Sequence, residues 1–217
     1  MKTITVKGVG NVSVKPDYIV LSLYLKSIDK DYEKSMELAA TKIAQLNKSL
    51  ENIGFEKDAV KTIDFNVDTD YESKKDRYGN YYRVFNGYRV SHRLKVSFEF
   101  DTKVLAKTLS AIAGCVADPE LSVNFTVKDS SAVNEALLKS AAENAKKKAE
   151  ILCLASGASL GDLVNIDYNW GELNIYSNTR YCMEKECMAE MCAPSSIDIE
   201  PDDIDLNDSV TFVWEIK

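Results

Sequence analysis

The sequence predicts an α+β fold: mostly antiparallel sheet with packed helices, built around a duplicated helix-strand-strand unit. Three observations carry this expectation. Gly54 followed by Ile63-Asp64-Phe65-Asn66-Val67 is matched 103 residues later by Gly157 followed by Ile166-Asp167-Tyr168-Asn169-Trp170. Each copy follows an Ala-rich amphipathic stretch and leads, through a polar loop, to an apolar-aromatic run at 94–100 or 210–216. From the second strand to the strand at 121–127 the order reads strand-helix-strand-strand-helix-strand. The pseudo-repeat covers about 31–100 and 134–217 within what reads as one domain, 1–217.

Residues 2–7 alternate as a short strand, Gly8-Val9-Gly10-Asn11 reads as a turn, and a long strand runs from Val12 to about Ile28. On it Ile19, Leu21, Leu23 and Leu25 form one face, and Tyr18, Val20 and Tyr24 make the other apolar and aromatic too. A strand apolar on both faces is covered on both, by a second layer of the same chain or by another subunit. Asp31 suits the N-cap of a helix carrying Met36, Leu38, Ala39, Ile43, Leu46, Leu50 and Ile53, stopped at Gly54. Next come a strand with Ile63, Phe65, Val67, Thr69 and Tyr71 on one face, a charged Tyr-rich loop around Lys74 to Tyr82, and a strand from Tyr88 to Phe100. Asp101 starts a helix ending at Gly114, and Leu121, Val123, Phe125 and Val127 alternate as a strand. From the second strand on, this is the split unit of a ferredoxin-like layer. A third helix from about Ala132 to Ser156 and strands near Val164 to Asn174 and Asp208 to Ile216 complete the chain.

The 217 residues are 45% apolar and 28% charged, enough for one sizeable core or two closely packed lobes. A net charge of −7 argues against nucleic acid or an anionic membrane as the main partner. The densest basic run, Lys146-Lys147-Lys148, reads as a solvated helix face beside Glu143 and Glu150. No stretch approaches the roughly 20 apolar residues of a membrane span. Residues 1–8 lack the apolar core of a secretory signal, so the chain reads as cytoplasmic, and as exported only if a leader has been removed.

His92, the only histidine, falls on the apolar face of a strand, where a packed or tyrosine-bonded core residue fits better than a general base. Asp64, Asn66, Asp68 and Asp70 place oxygen ligands at every second residue, but without the glycine and closing glutamate of a calcium loop. Facing Arg89, Arg93 and Lys95 on the next strand, they suit cross-strand ion pairs. Glu200, Asp202, Asp203 and Asp205 read as a solvated lead-in to the last strand. Of the five cysteines, Cys115 and Cys153 sit in apolar helical context as packed thiols. Cys182, Cys187 and Cys192, at steps of five beside Met183, Met188 and Met191 in a loop of about 177–196, are the one constellation with metal-binding or thiol-exchange chemistry of its own. Steps of five do not share a helix face, and zinc motifs pair cysteines more closely.

Several segments resemble the SIMPL-domain family. They are Gly8-Val9-Gly10-Asn11-Val12-Ser13-Val14-Lys15-Pro16-Asp17, Thr62-Ile63-Asp64-Phe65, Gly87-Tyr88-Arg89-Val90-Ser91, Phe125-Thr126-Val127-Lys128-Asp129, and Ala145 to Glu150 followed by Gly157-Ala158-Ser159-Leu160-Gly161 and Ile199-Glu200-Pro201. Their order and spacing cover about residues 2 to 216. The resemblance implies an α+β fold, self-association into rings or channel-like assemblies, a link to bacterial oxidative-stress defence, and no established catalytic activity or cofactor. The expected function is therefore a non-enzymatic homo-oligomer with no nucleic-acid partner and no membrane span, using Tyr18, Val20 and Tyr24 as subunit contacts. The alternative is a thiol-based redox or metal-sensing protein using the three loop cysteines, which lie outside the family pattern.

Overall fold

The computed structural model describes residues 2–169, 173–183 and 199–217. Their elements, in chain order, are β1 (Thr3–Val14), β2 (Tyr18–Asp29), α1 (Tyr32–Glu51), β3 (Lys61–Lys75), β4 (Tyr81–Glu99), α2 (Thr102–Ala113), β5 (Glu120–Thr126), α3 (Ser130–Ala155), β6 (Leu160–Asp167), β7 (Tyr176–Met183) and β8 (Ile204–Ile216). The fold is α+β, as expected. Its strands form a five-stranded sheet in the order β3-β4-β2-β5-β7 and a three-stranded sheet in the order β1-β8-β6. The chain folds as two compact units, one of residues 18–125 and 179–200, the other of 1–17, 126–178 and 201–217.

In the unit of residues 18–125, the elements β2-α1-β3-β4-α2-β5 place their strands in the order β3-β4-β2-β5, the split arrangement read from the sequence. Both helices start where an aspartate answers the unpaired first-turn N–H groups. Asp31 accepts from Glu33 and Lys34, and Asp101 from Lys103 and Val104. Ile19, Leu21, Leu23 and Leu25 of β2 are buried with Leu94 and Val96 of β4, Leu46 and Leu50 of α1, and Leu105, Leu109 and Ile112 of α2. Each such side chain contributes about 1.5–3 kcal/mol by leaving water.

The loop expected around Lys74 to Tyr82 narrows to a turn at residues 76–80, with Lys74, Lys75, Tyr81 and Tyr82 in strand. β3 runs on to Lys75 and β4 begins at Tyr81, paired from Lys61↔Lys95 to Lys75↔Tyr81. The turn is closed by the Asp76 carboxylate, which accepts from the N–H groups of Tyr78 at 2.8 Å and Asn80 at 2.9 Å. The Asn80 N–H foremost holds that carboxyl below its ordinary pKa. Because β2 pairs with β4 only as far as Asp29↔Tyr88, the last part of the hairpin leaves the sheet as a two-stranded arm. Gly87 marks its root. A Cβ there would overlap the Asp29 carbonyl, where the chain leaves β2 for α1.

In the other unit α3 lies across β1 and β8. Val133, Leu137, Ala141, Ala145, Ala149 and Cys153 recur every fourth residue as its buried stripe. Ala141, Ala145 and Ala149 pack on Val6, Val210, Phe212 and Trp214. The Gly8-to-Asn11 turn expected from the sequence is absent, since β1 is continuous from Thr3 to Val14 and the chain breaks instead at Lys15-Pro16-Asp17. The glycines serve close packing. A Cβ on Gly8 would overlap the Ala141 carbonyl oxygen and stand 2.7 Å from Ala145 Cβ, and one on Gly10 would overlap the Leu137 carbonyl oxygen.

The last strands also differ from expectation. β6 ends at Asp167, β7 was not foreseen, and β8 starts at Ile204, with Ile204 and Leu206 buried between Asp203, Asp205 and Asn207. The acidic lead-in is therefore partly strand. Alternation was masked there by the high charge of the solvent-facing positions.

Candidate assembly surfaces

An edge strand presents alternate N–H and C=O groups without ladder partners, and proteins blunt such edges when they are not used. β1 is blunted by α3. Asn144 Oδ1 accepts from Val9 N–H at 3.0 Å, Ser140 Oγ accepts from Asn11 N–H at 3.2 Å, and Lys148 Nζ donates to the Lys7 carbonyl at 3.2 Å. Residues 7, 9 and 11 are the outward positions of β1, and 140, 144 and 148 form one row on the helix. Lys146, Lys147 and Lys148 are all exposed, as a solvated face requires, and Lys148 in addition reaches the strand edge. The polar row at spacing four beside the alanine row was the signal for this contact.

β6 and β3, the outer strands on the far side of β8 and β4, have no such cover among the described residues. Leu163 pairs with Trp214 and Ile166 with Phe212, so both point to the side on which α3 packs. Phe212 and Trp214 are buried and stacked at 5.3 Å, whereas Leu163, Val164 and Ile166 remain about half exposed. Ile151, Leu152 and Leu154 at the end of α3 are exposed as well, Leu154 at 82%. β3 repeats this condition in its own unit. Phe65 is exposed although it pairs with buried His92, and Ile63, in a bulge, is exposed too.

Tyr18, Val20 and Tyr24 are half-buried on the β2 face opposite the core. Their hydroxyls are used within the sheet: Tyr18 Oη donates to Ser97 Oγ at 3.4 Å, and Tyr24 Oη lies 3.0 Å from Ser91 Oγ. His92 is buried on the core face, bonded through Nε2 to Thr62 Oγ1 at 2.9 Å, with the Phe65 ring edge-on at 5.1 Å. The partner is a threonine and not a tyrosine. A bulge between Thr62 and Asp64 turns Thr62, instead of Ile63, toward the histidine. The His92 Nδ1 is buried without a partner among the described residues, and burial lowers the pKa of the ring from the ordinary value.

The acidic face of β3 is spent on ion pairs and local bonds. Asp70 meets Arg89 at 2.9 Å and accepts from Asn86 at 2.8 Å, Asp64 meets Arg93 at 3.7 Å, and Asn66 donates to Asp68 at 2.7 Å. Cys115 and Cys153 are buried free thiols. The backbone of Cys182 lies near the end of β7, and its side chain, with Cys187 and Cys192, lies outside the described residues. No described helix is long and apolar enough to cross a membrane.

Fold and surfaces together define an α+β protein of two sheet-and-helix units in which the β1 edge is capped and, among the described residues, the apolar β6 and β3 edges are not. The chain belongs to the SIMPL family, described as a protein of unknown function (DUF541), whose model matches residues 4–214. No curated protein matches the chain.

Proposed function

We propose that this protein is a non-enzymatic, self-assembling SIMPL-domain protein that works without a cofactor. Its copies associate through the apolar strip of β6 and the end of α3, with the Tyr18, Val20 and Tyr24 face as a further contact. The carrying observation is that Ile151, Leu152, Leu154, Leu163, Val164 and Ile166 are all exposed within residues 151–166. Exposed apolar side chains concentrated in one stretch of a folded unit suit an interaction site, and covering them contributes about 25 cal/mol per Å². Stress defence is the family-level role this assembly would serve.

The test is solution mass by light scattering, with and without reductant, and metal analysis on the same sample. The expected result is a metal-free oligomer indifferent to reductant, unchanged by serine at Cys182, Cys187 and Cys192, and reduced in mass by Leu163→Lys with Ile166→Lys. A monomer at all concentrations sinks the proposal. An assembly that dissolves in reductant, or that carries metal lost with the cysteines, replaces it with the thiol-based alternative.

A further inference from the structure

The arm formed by the ends of β3 and β4 is the part of the fold least explained by its own unit. Beyond Tyr88 no other strand among the described residues pairs with it, so Tyr81 to Gly87 extend about 20 Å as one side of a two-stranded ribbon. A two-stranded ribbon alone is marginally stable in water. This one nevertheless carries Tyr71, Tyr78, Tyr81, Tyr82 and Phe85, all at least 40% exposed. The rings are ordered into a surface. Tyr71 and Phe85 pair across the strands with centroids 5.9 Å apart, Phe85 continues to Tyr88 at 5.4 Å, and Tyr88 to Tyr32 of α1 at 5.6 Å.

The charge of this surface is opposite to that of the chain. Lys75 lies over the Tyr81 ring at 4.8 Å, Arg83 over Tyr71 at 4.7 Å, and Arg77 over Tyr78 at 5.4 Å. Cross-strand pairing puts Tyr71, Ser73, Lys75, Tyr81, Arg83 and Phe85 on one face, with two cations and no carboxylate. Residues 71–85 hold four cationic and two acidic side chains, a net +2, against −9 for the rest of a chain whose total is −7. Two such faces repel one another, whereas the remainder of any copy attracts them.

We propose that the β3–β4 arm is the element by which one copy of this chain grips the acidic surface of the next. The inference rests on the assembly reading above and names its reaching, salt-sensitive contact, distinct from the apolar strip. An arm docked on a different surface makes a head-to-tail contact, which closes into a ring if the rotation between copies allows. The flat aromatic rings bring contact area at small entropic cost, and the cations set orientation and encounter rate.

Two variants test this. One joins Asp70 to Gly87 through Asn-Gly, removing the arm while keeping the β2–β4 ladder, and the other carries Lys75→Glu with Arg83→Glu. Circular dichroism and melting temperature report whether each folds as the parent does. Light scattering across protein concentration and from 0.05 to 0.5 M NaCl gives the assembly state. We expect both variants to associate at least tenfold more weakly than the parent at low salt, and high salt to bring the parent toward their state. If the parent assembles and both folded variants match its mass and salt response, the arm proposal fails while the assembly reading stands. If the parent is monomeric throughout, both fail. Binding of the monomeric parent to anionic vesicles or RNA, lost in both variants, also overturns the proposal by giving the arm another partner.

Discussion

Gly8→Ala isolates the seam between β1 and α3. The added Cβ would stand 2.7 Å from Ala145 Cβ and overlap the Ala141 carbonyl oxygen. Carbon atoms in contact prefer about 3.5–4.0 Å, so strand and helix must part by about 1 Å. Neither obstacle can rotate away, because one is a backbone carbonyl and the other a methyl fixed on the helix. A gap of that size forfeits roughly a quarter to a half of the dispersion energy across the seam. It also strains the bonds from Asn144 and Lys148 that cap β1. Overpacking costs about 1–3 kcal/mol, and rigid neighbours place this case near 3 kcal/mol. For a chain of this size that lowers Tm by about 6–12 °C.

Thermal and urea unfolding by far-UV circular dichroism, at one protein concentration because assembly couples to stability, measure the loss. Ser13→Ala, at an exposed position of the same strand, should change little. Adding Ala145→Gly should not rescue Gly8→Ala. It leaves the carbonyl overlap in place and itself costs about 1 kcal/mol in a helix interior. A Gly8→Ala protein melting within about 2 °C of the parent would refute close approach as the reason for this glycine.

Two further expectations concern β4. Burial keeps folded His92 neutral, so its pKa lies below the unfolded value near 6.5. Its contribution is complete above that value and is lost as pH falls from about 6.5 toward the folded pKa. His92→Gln should therefore show a smaller loss of unfolding free energy between pH 7 and 5.5, and equal losses in the two proteins would contradict this. The Asp70–Arg89 pair, at 2.9 Å with side chains 16% and 34% exposed, should show a double-mutant coupling of about 1 kcal/mol. The Asp64–Arg93 pair, at 3.7 Å and more open, should show about 0.3 kcal/mol or less. A larger coupling for the second pair would mean that exposure and distance do not rank them.

The sequence by itself determined the elements whose signals are local. Aspartates 31 and 101 start helices because a carboxylate satisfies first-turn amides within three residues; Asp129 does the same for a helix expected only from about Ala132. Alternation put Ile19, Leu21, Leu23 and Leu25, and likewise Leu94 and Val96, on faces that prove to be core, since successive strand side chains point to opposite sides. The class followed from the same patterns, and the family from the resemblance of motifs such as Gly8 to Asp17.

Tertiary structure decided whatever depended on a distant neighbour. Gly8 and Gly10 carry the composition of a turn but lie in a strand, because the backbone of α3, more than 120 residues away, occupies the space of their side chains. Lys148 is solvent-facing, as its composition suggests, and its bond to the β1 edge was set by the tertiary structure. Thr62 reaches His92 only through a bulge. The open strip on β6 and the projecting arm were equally hidden. A leucine at 163 or a tyrosine at 81 is as apolar in a core as on a surface, and only the placement of the helices and the end of β2 leaves it uncovered.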